Sequence, residues 1–156
     1  MNLTPDIDPL MSPNRAEVSL KAIAHNTAQL RAAIPDYIAL MAVVKADGYG
    51  HGMVDAARAA IAGGATWLGV AHPVTALDLA HADLDVPILA WLHEPVSAKN
   101  MLPHAIGAGV DLAVSSLAQL EAVIEAARSI ERRVRVHVSL ETGMGPVSYT
   151  HLTLPT

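Results

Sequence analysis

The sequence predicts an α/β protein: a partial (β/α)8 barrel, truncated after about five barrel strands. Three observations predict it. Short apolar runs rich in β-branched residues alternate with amphipathic, alanine-rich segments. The repeat is about 20–25 residues, the length of one strand–helix unit in such a barrel. The run Ile38-Ala39-Leu40-Met41-Ala42-Val43-Val44 is continuously apolar, as expected of a parallel strand buried on both faces. A doubly wound open sheet is the alternative. No G-x-G-x-x-G follows the first buried run, which weakens its dinucleotide-binding form.

The elements follow in order. Residues 1–14, rich in Pro and Asp, read as a flexible leader. Residues 16–19 form a candidate short strand. Ser19 is placed to cap a helix whose face carries Leu20, Ile23, Ala24, Thr27 and Leu30, and Pro35-Asp36 ends it. Strands are expected at 38–44, 67–71, 88–91, 111–114 and 134–140. Helices are expected at 53–61, stopped by Gly63-Gly64, and from Pro73 to about residue 82. Two more are expected at 97–108, disturbed by Pro103, and from Ser116, where Ser116 and Gln119 make a capping-box pattern.

Composition narrows the function. Hydrophobic residues make up 52% of the 156, yet Phe is absent and aromatics are only 3%, so the core must be built from small aliphatic shapes. A formal net charge of −5 argues against nucleic acid or an anionic membrane as main partner. There is no Cys, hence no disulfide framework and no thiolate metal site; this fits a reducing compartment. The N-terminus has neither the basic start nor the apolar stretch of a signal peptide, and the longest uncharged run, 59–77, is broken by glycines and Pro73. A soluble cytoplasmic protein without a membrane segment is the expectation.

The segment that carries chemistry is Val43-Val44-Lys45-Ala46-Asp47-Gly48-Tyr49-Gly50-His51-Gly52. Lys45 directly follows the buried strand, at the end where parallel barrels carry their active sites. A lysine amine is the nucleophile that forms Schiff bases with carbonyl groups. Glycines at alternate positions allow the backbone to approach a bulky ligand, and Tyr49 and His51 supply polar tips beside it. The bland alternative is a solvated lysine on a turn. The motif is not a Walker loop, because the lysine precedes the glycines. The other histidines (25, 72, 81, 93, 104 and 137) read as ordinary surface or loop residues. Asp47, His51 and Asp55 are spaced four apart, but glycines separate the first two, so no metal site is expected. Arg132, Arg133 and Arg135 read as a solvated helix end and strand start, and Trp67 and Trp91 as packing residues.

V-V-K-A-D-G-Y-G-H-G is strongly similar to the cofactor-lysine signature of alanine racemases. Supporting segments span 15–145: Glu17-Val18-Ser19-Leu20, His25-Asn26, Trp67-Leu68-Gly69-Val70-Ala71, Val136-His137-Val138 and Thr142-Gly143-Met144. The resemblance implies the N-terminal part of a barrel that binds pyridoxal 5'-phosphate, joined in the family to a C-terminal β domain in a homodimer. It implies that Lys45 binds the cofactor and serves as acid/base on one face of the substrate, alanine. It further implies that Tyr49 helps hold the cofactor phosphate, and that a tyrosine of the partner subunit serves the other face. By the same resemblance, the product D-alanine is expected to supply cell-wall peptidoglycan.

The sequence also departs from that pattern. Ser139 stands where many members have a lysine, Glu141 where an Asp is usual, and Pro146 near where an arginine is expected. Residues 146–156 resemble a translated sequencing-adapter tail, and are expected to be unrelated to the domain at 15–145. A chain ending there is expected to be inactive by itself. The competing reading is a non-catalytic pyridoxal-phosphate carrier or homeostasis barrel, although carriers usually follow their lysine with a different sequence. A third is a fragment that binds nothing stably.

Overall fold

A computed structural model describes residues 16–96 and 98–140. The elements run α1 (Leu20–Ala32), β1 (Met41–Val43), α2 (Lys45–Gly50), α3 (Met53–Ala62), β2 (Trp67–Val70), α4 (Pro73–Ala80), β3 (Ile88–Ala90), α5 (Leu102–Gly107), β4 (Asp111–Val114), α6 (Leu117–Ser129) and β5 (Val136–Val138). The five strands are all parallel and lie in the sheet in chain order, β1-β2-β3-β4-β5. A doubly wound sheet reverses direction partway, and this one does not.

Alternate strand residues face the helices. Leu68, Val70, Ile88, Ala90, Leu112 and Val114 join Ala56, Ala57, Ala76, Leu79, Ala105, Val123 and Ala126 in one buried cluster. With so many alanines on the helix side, the helices sit close to the sheet without any phenylalanine to fill gaps. The other sheet face is concave. The rings of Trp67 on β2 and His137 on β5 meet edge-on, with centroids 5.5 Å apart. Three strand spacings amount to about 14 Å in a flat sheet, so the contact requires the sheet to curl, as a part-barrel does.

Local chemistry sets most boundaries. Ser19 Oγ accepts from Ala22 N at 3.3 Å and starts α1. At the other end of α1, the Arg31 guanidinium donates to the carbonyls of Pro35 and Ile38, both at 2.7 Å, and fixes the entry to β1. Ser116 caps α6 through Gln119 N at 3.1 Å. The return bond of the box is shifted by one residue: Gln119 Oε1 accepts from Ser115 N. Gln119 Nε2 meanwhile donates to the His93 carbonyl at 2.7 Å, tying α6 to the loop after β3.

Four expectations need correction. Residues 16–19 form no strand; no described strand edge receives them, and Ser19 is committed to its cap. β1 is shorter than 38–44, because its partner β2 begins at Trp67 and the Thr66 hydroxyl occupies Leu40 N at 3.0 Å. Nor is β1 covered on both faces: Val43, on the concave side, is 50% exposed. The helix expected at 97–108 begins at Leu102, with Pro103 in its first turn, where a missing N–H costs nothing. The leader, the segment from Glu141 to Met144 and the tail lie outside the described residues.

Candidate active site

Val44 is buried, and its N–H donates to Gly69 O at 2.9 Å, the last ladder bond of the first strand pair. Lys45 follows at once, half-buried, at the C-terminal edge of the sheet. The next four residues then wind the opposite way from an ordinary helix. Ala46, Asp47, Gly48 and Tyr49 have φ of 52°, 54°, 60° and 57° with ψ between 30° and 47°. A left-handed conformation costs a non-glycine residue roughly 1–2 kcal/mol, least for Asp, whose short polar side chain bonds locally. A tyrosine there is an outlier of the kind that marks functional sites. The turn places Tyr49 four residues after Lys45, beside the same strand end. Tyr49 is 73% exposed, with its phenol free of the core.

Hydrogen bonds hold the turn. Gly48 N donates to Val44 O at 3.0 Å, and Gly52 N to Asp47 O at 3.1 Å. Asp47 Oδ1 accepts from Met53 N at 2.7 Å, and His51 Nδ1 lies 2.7 Å from Gly48 O. Asp47, His51 and Asp55 therefore do not converge: the first caps α3, the second closes its own turn, and the third lies 4.0 Å from Arg58. Among the described residues no group of three or more metal-ligating side chains comes together.

Below Lys45 the concave face carries a charged cluster that the sequence analysis missed. Asp111, on the same ladder row as Val43, Gly69 and Leu89, has a side chain only 5% exposed. Its Oδ2 lies 2.8 Å from Arg135 Nε and 3.3 Å from His137 Nε2. The Arg135 guanidinium also lies over the Trp67 ring, 5.0 Å from its centroid. Arg135 keeps its side chain 60% exposed, in line with a solvated strand start, while its head group and the part-buried His137 both reach the buried Asp111. The missed signal was parity: Arg135 and His137 alternate on one face of β5, opposite an aspartate in a strand otherwise apolar. Gly69 gives the face its depth. A Cβ there would lie 2.8 Å from Met41 Sδ and 2.9 Å from Trp91 Cζ3. Ser139 closes β5 through a 2.9 Å bond from its N–H to Val114 O.

His93, expected at the surface, is also buried, and neither ring nitrogen has a hydrogen-bond partner. Desolvation by burial lowers its pKa below the ordinary histidine value. Among the described residues no helix is long and apolar enough to cross a membrane.

Known proteins resemble this chain in sequence and fold. The sequence profile of the family described as "Alanine racemase, N-terminal domain" matches residues 18–147. The alanine racemase of Thermobifida fusca is 51% identical over 131 residues, which cover 83% of this chain and 33% of that protein. That of Salinispora tropica is 49% identical over 127 residues, 81% of this chain and 33% of that one. In structure, the alanine racemase from Streptomyces coelicolor superposes with a TM-score of 0.82 at 43% identity, over 89% of this chain and 36% of that one. The enzyme from the D-cycloserine producer Streptomyces lavendulae gives 0.81 at 40%, with the same coverage. The chain spans about a third of the length of these curated relatives. It belongs to the alanine racemase family, of which it carries N-terminal barrel strands and helices.

Proposed function

We propose that this chain is the cofactor-holding part of a pyridoxal-phosphate-dependent alanine racemase, with Lys45 as the attachment residue. The supporting observation is the placement of Lys45: a half-buried amine at the C-terminal edge of a parallel sheet, followed by a left-handed turn that carries an exposed phenol. The donor set fits the cofactor. Lys45 Nζ is a primary amine for its aldehyde, and Tyr49 Oη is a donor for its phosphate. A Cβ built on Gly50 meets nothing within 4 Å, so the backbone beside the phenol stands open.

When bound, the cofactor supplies an electron sink for the charge left at the substrate's Cα. The residues of this chain do the rest on one face. Lys45 would hold the cofactor through its amine, and the same amine, when free, would take or return the Cα proton of alanine on one face. Tyr49 would help hold the cofactor phosphate through its phenol. A tyrosine of the partner subunit in the full-length homodimer works the opposite face, and the product D-alanine serves peptidoglycan synthesis in the cytoplasm. A carrier would hold the same cofactor without proton transfer; the similarity to alanine racemases favours the racemase.

The test is borohydride fixation of pyridoxal phosphate on the full chain, followed by peptide mapping. The chain has three lysines. Label is expected on Lys45 and not on Lys21 or on Lys99, which pairs with Glu125 at 3.0 Å. Label spread evenly over the three, or unchanged in Lys45→Ala, would sink the assignment. Deuterium exchange at Cα of alanine, measured on the full-length homodimer, then separates racemase from carrier, since only the racemase has a use for the freed amine.

A further inference from the structure

We propose that Asp47 is a positioning residue for the cofactor lysine: it locks the left-handed turn onto helix α3 and so holds Lys45 and Tyr49 toward one ligand. The inference rests on the assignment of Lys45 and Tyr49 made above.

The turn is strung between two fixed points. On one side Val44 N is bonded to Gly69 O, in the sheet. On the other side α3 is seated in the core through Ala56, Ala57, Ala59 and Ala60. Asp47 is the side chain that joins the turn to the second point. Its Oδ1 accepts from Met53 N at 2.7 Å while its carbonyl accepts from Gly52 N at 3.1 Å. Gly52, which stands at the N-cap of α3, has no side chain to offer, so Asp47 supplies the acceptor from five residues upstream. A carboxylate at that position also complements the positive end of the helix. Asp47 is itself left-handed, a conformation that Asp tolerates and Ala resists. One residue therefore favours the handedness of the turn and attaches the turn to the scaffold. Ala46 and Tyr49 share the unfavourable backbone but have no such bond to α3 in the structure. Were the Asp47 bond lost, those residues would relax toward ordinary φ and the position of Tyr49 relative to Lys45 would change. Asp55, the other acidic residue in the first turn of α3, lies beside Arg58 and serves as a neighbouring control.

The experiment uses the full chain and pyridoxal phosphate itself, with two readouts: the concentration that half-saturates borohydride-fixed label on Lys45, and the exchange rate of the Met53 amide. Loss of a helix-capping acceptor is of the size that changes an equilibrium roughly tenfold. Asp47→Ala should raise the half-saturating concentration and speed Met53 exchange, each by about that factor. Asp47→Asn, which keeps the acceptor, should restore both, and Asp55→Ala should change neither. If Asp47→Ala fails to fold, Asp47→Gly decides, since glycine accepts the left-handed backbone yet offers no acceptor; it should fold and still lose labelling. Labelling of Asp47→Ala or Asp47→Gly that matches the parent chain would overturn the proposal. So would an Asp47→Asn variant as impaired as the alanine. Absence of label on Lys45 in the parent chain would overturn the cofactor assignment itself, and the Met53 exchange rates would still report whether Asp47 holds the turn.

Discussion

Gly63 is a place where one added methyl group should separate two elements. It is the C-cap of α3, with φ of −83°, a conformation open to any residue. Its need for glycine is spatial. A Cβ there would overlap Ala24 O and lie 2.7 Å from Thr27 Cβ and 3.1 Å from Ala24 C, all on α1. Two of these atoms belong to helix backbone, so no rotamer change relieves the clash; α1 must withdraw by several tenths of an ångström or more. Overpacking of this kind costs about 1–3 kcal/mol. Against it stands the entropy that Gly→Ala removes from the unfolded chain, about 0.4–1 kcal/mol where the backbone permits alanine. The net expectation for Gly63→Ala is a loss of about 1–2 kcal/mol. Gly107 is the matched control: a Cβ there meets only Ile130 Cδ1, at 4.0 Å, so Gly107→Ala should stabilise by about 0.4–1 kcal/mol. Urea unfolding followed by circular dichroism gives both values, and amide exchange along α1 locates the damage. If Gly63→Ala raised the midpoint as Gly107→Ala does, the close seating of α1 on α3 would be wrong.

Two further outcomes follow from the concave face and the loop above it. Asp111 is buried whereas the Arg135 side chain is 60% exposed, so the carboxylate is the partner that suffers when the pair is broken. Arg135→Met should therefore destabilise more than Asp111→Leu, by about 1–2 kcal/mol once solvent screening of the arginine is allowed for; denaturant midpoints in the reverse order would refute this. For His93, burial lowers the pKa, so as pH falls the unfolded chain takes up the proton first. The stability gained by keeping the ring neutral is full above about pH 6.5 and is lost as pH falls through the lower folded value. His93→Leu should flatten that part of the stability profile, and identical pH dependence in both chains would count against a buried neutral ring.

The strands were legible because each has an apolar, β-branched stretch and a helix pattern on either side, and parallel order follows from the alternation. Ends were less legible, since they depend on partners distant in sequence: Thr66 reaching Leu40, or Gln119 reaching Ser115 and His93. The polar cluster around the buried Asp111 was hidden for the same reason. Asp111 and His137 are 26 residues apart, and only the curl of the sheet brings Trp67 to them. Lys45 was legible as a strand-end lysine, and a family signature singled it out. What it does with its neighbours was not, because handedness leaves no periodic trace in a sequence.

That handedness changes the meaning of the glycines. Read as a string, Gly48 and Gly50 suggest a backbone kept bare so that a ligand can approach. In the structure both sit at positive φ, 60° and 84°, with three non-glycine neighbours also in left-handed conformation. Their first task is therefore to let the chain reverse its sense immediately after β1. Had the chain continued from Val44 as an ordinary right-handed helix, the same number of residues would still separate Tyr49 from Lys45, but wound in the opposite sense. A left-handed turn of this length is unstable alone and persists only where its surroundings over-determine it. The sheet bond at Val44, the Asp47 bond to α3 and the alanine face that seats α3 provide those surroundings. The cost of the strained turn is thus met by contacts outside it, in the sheet and in the helix layer behind Lys45 and Tyr49.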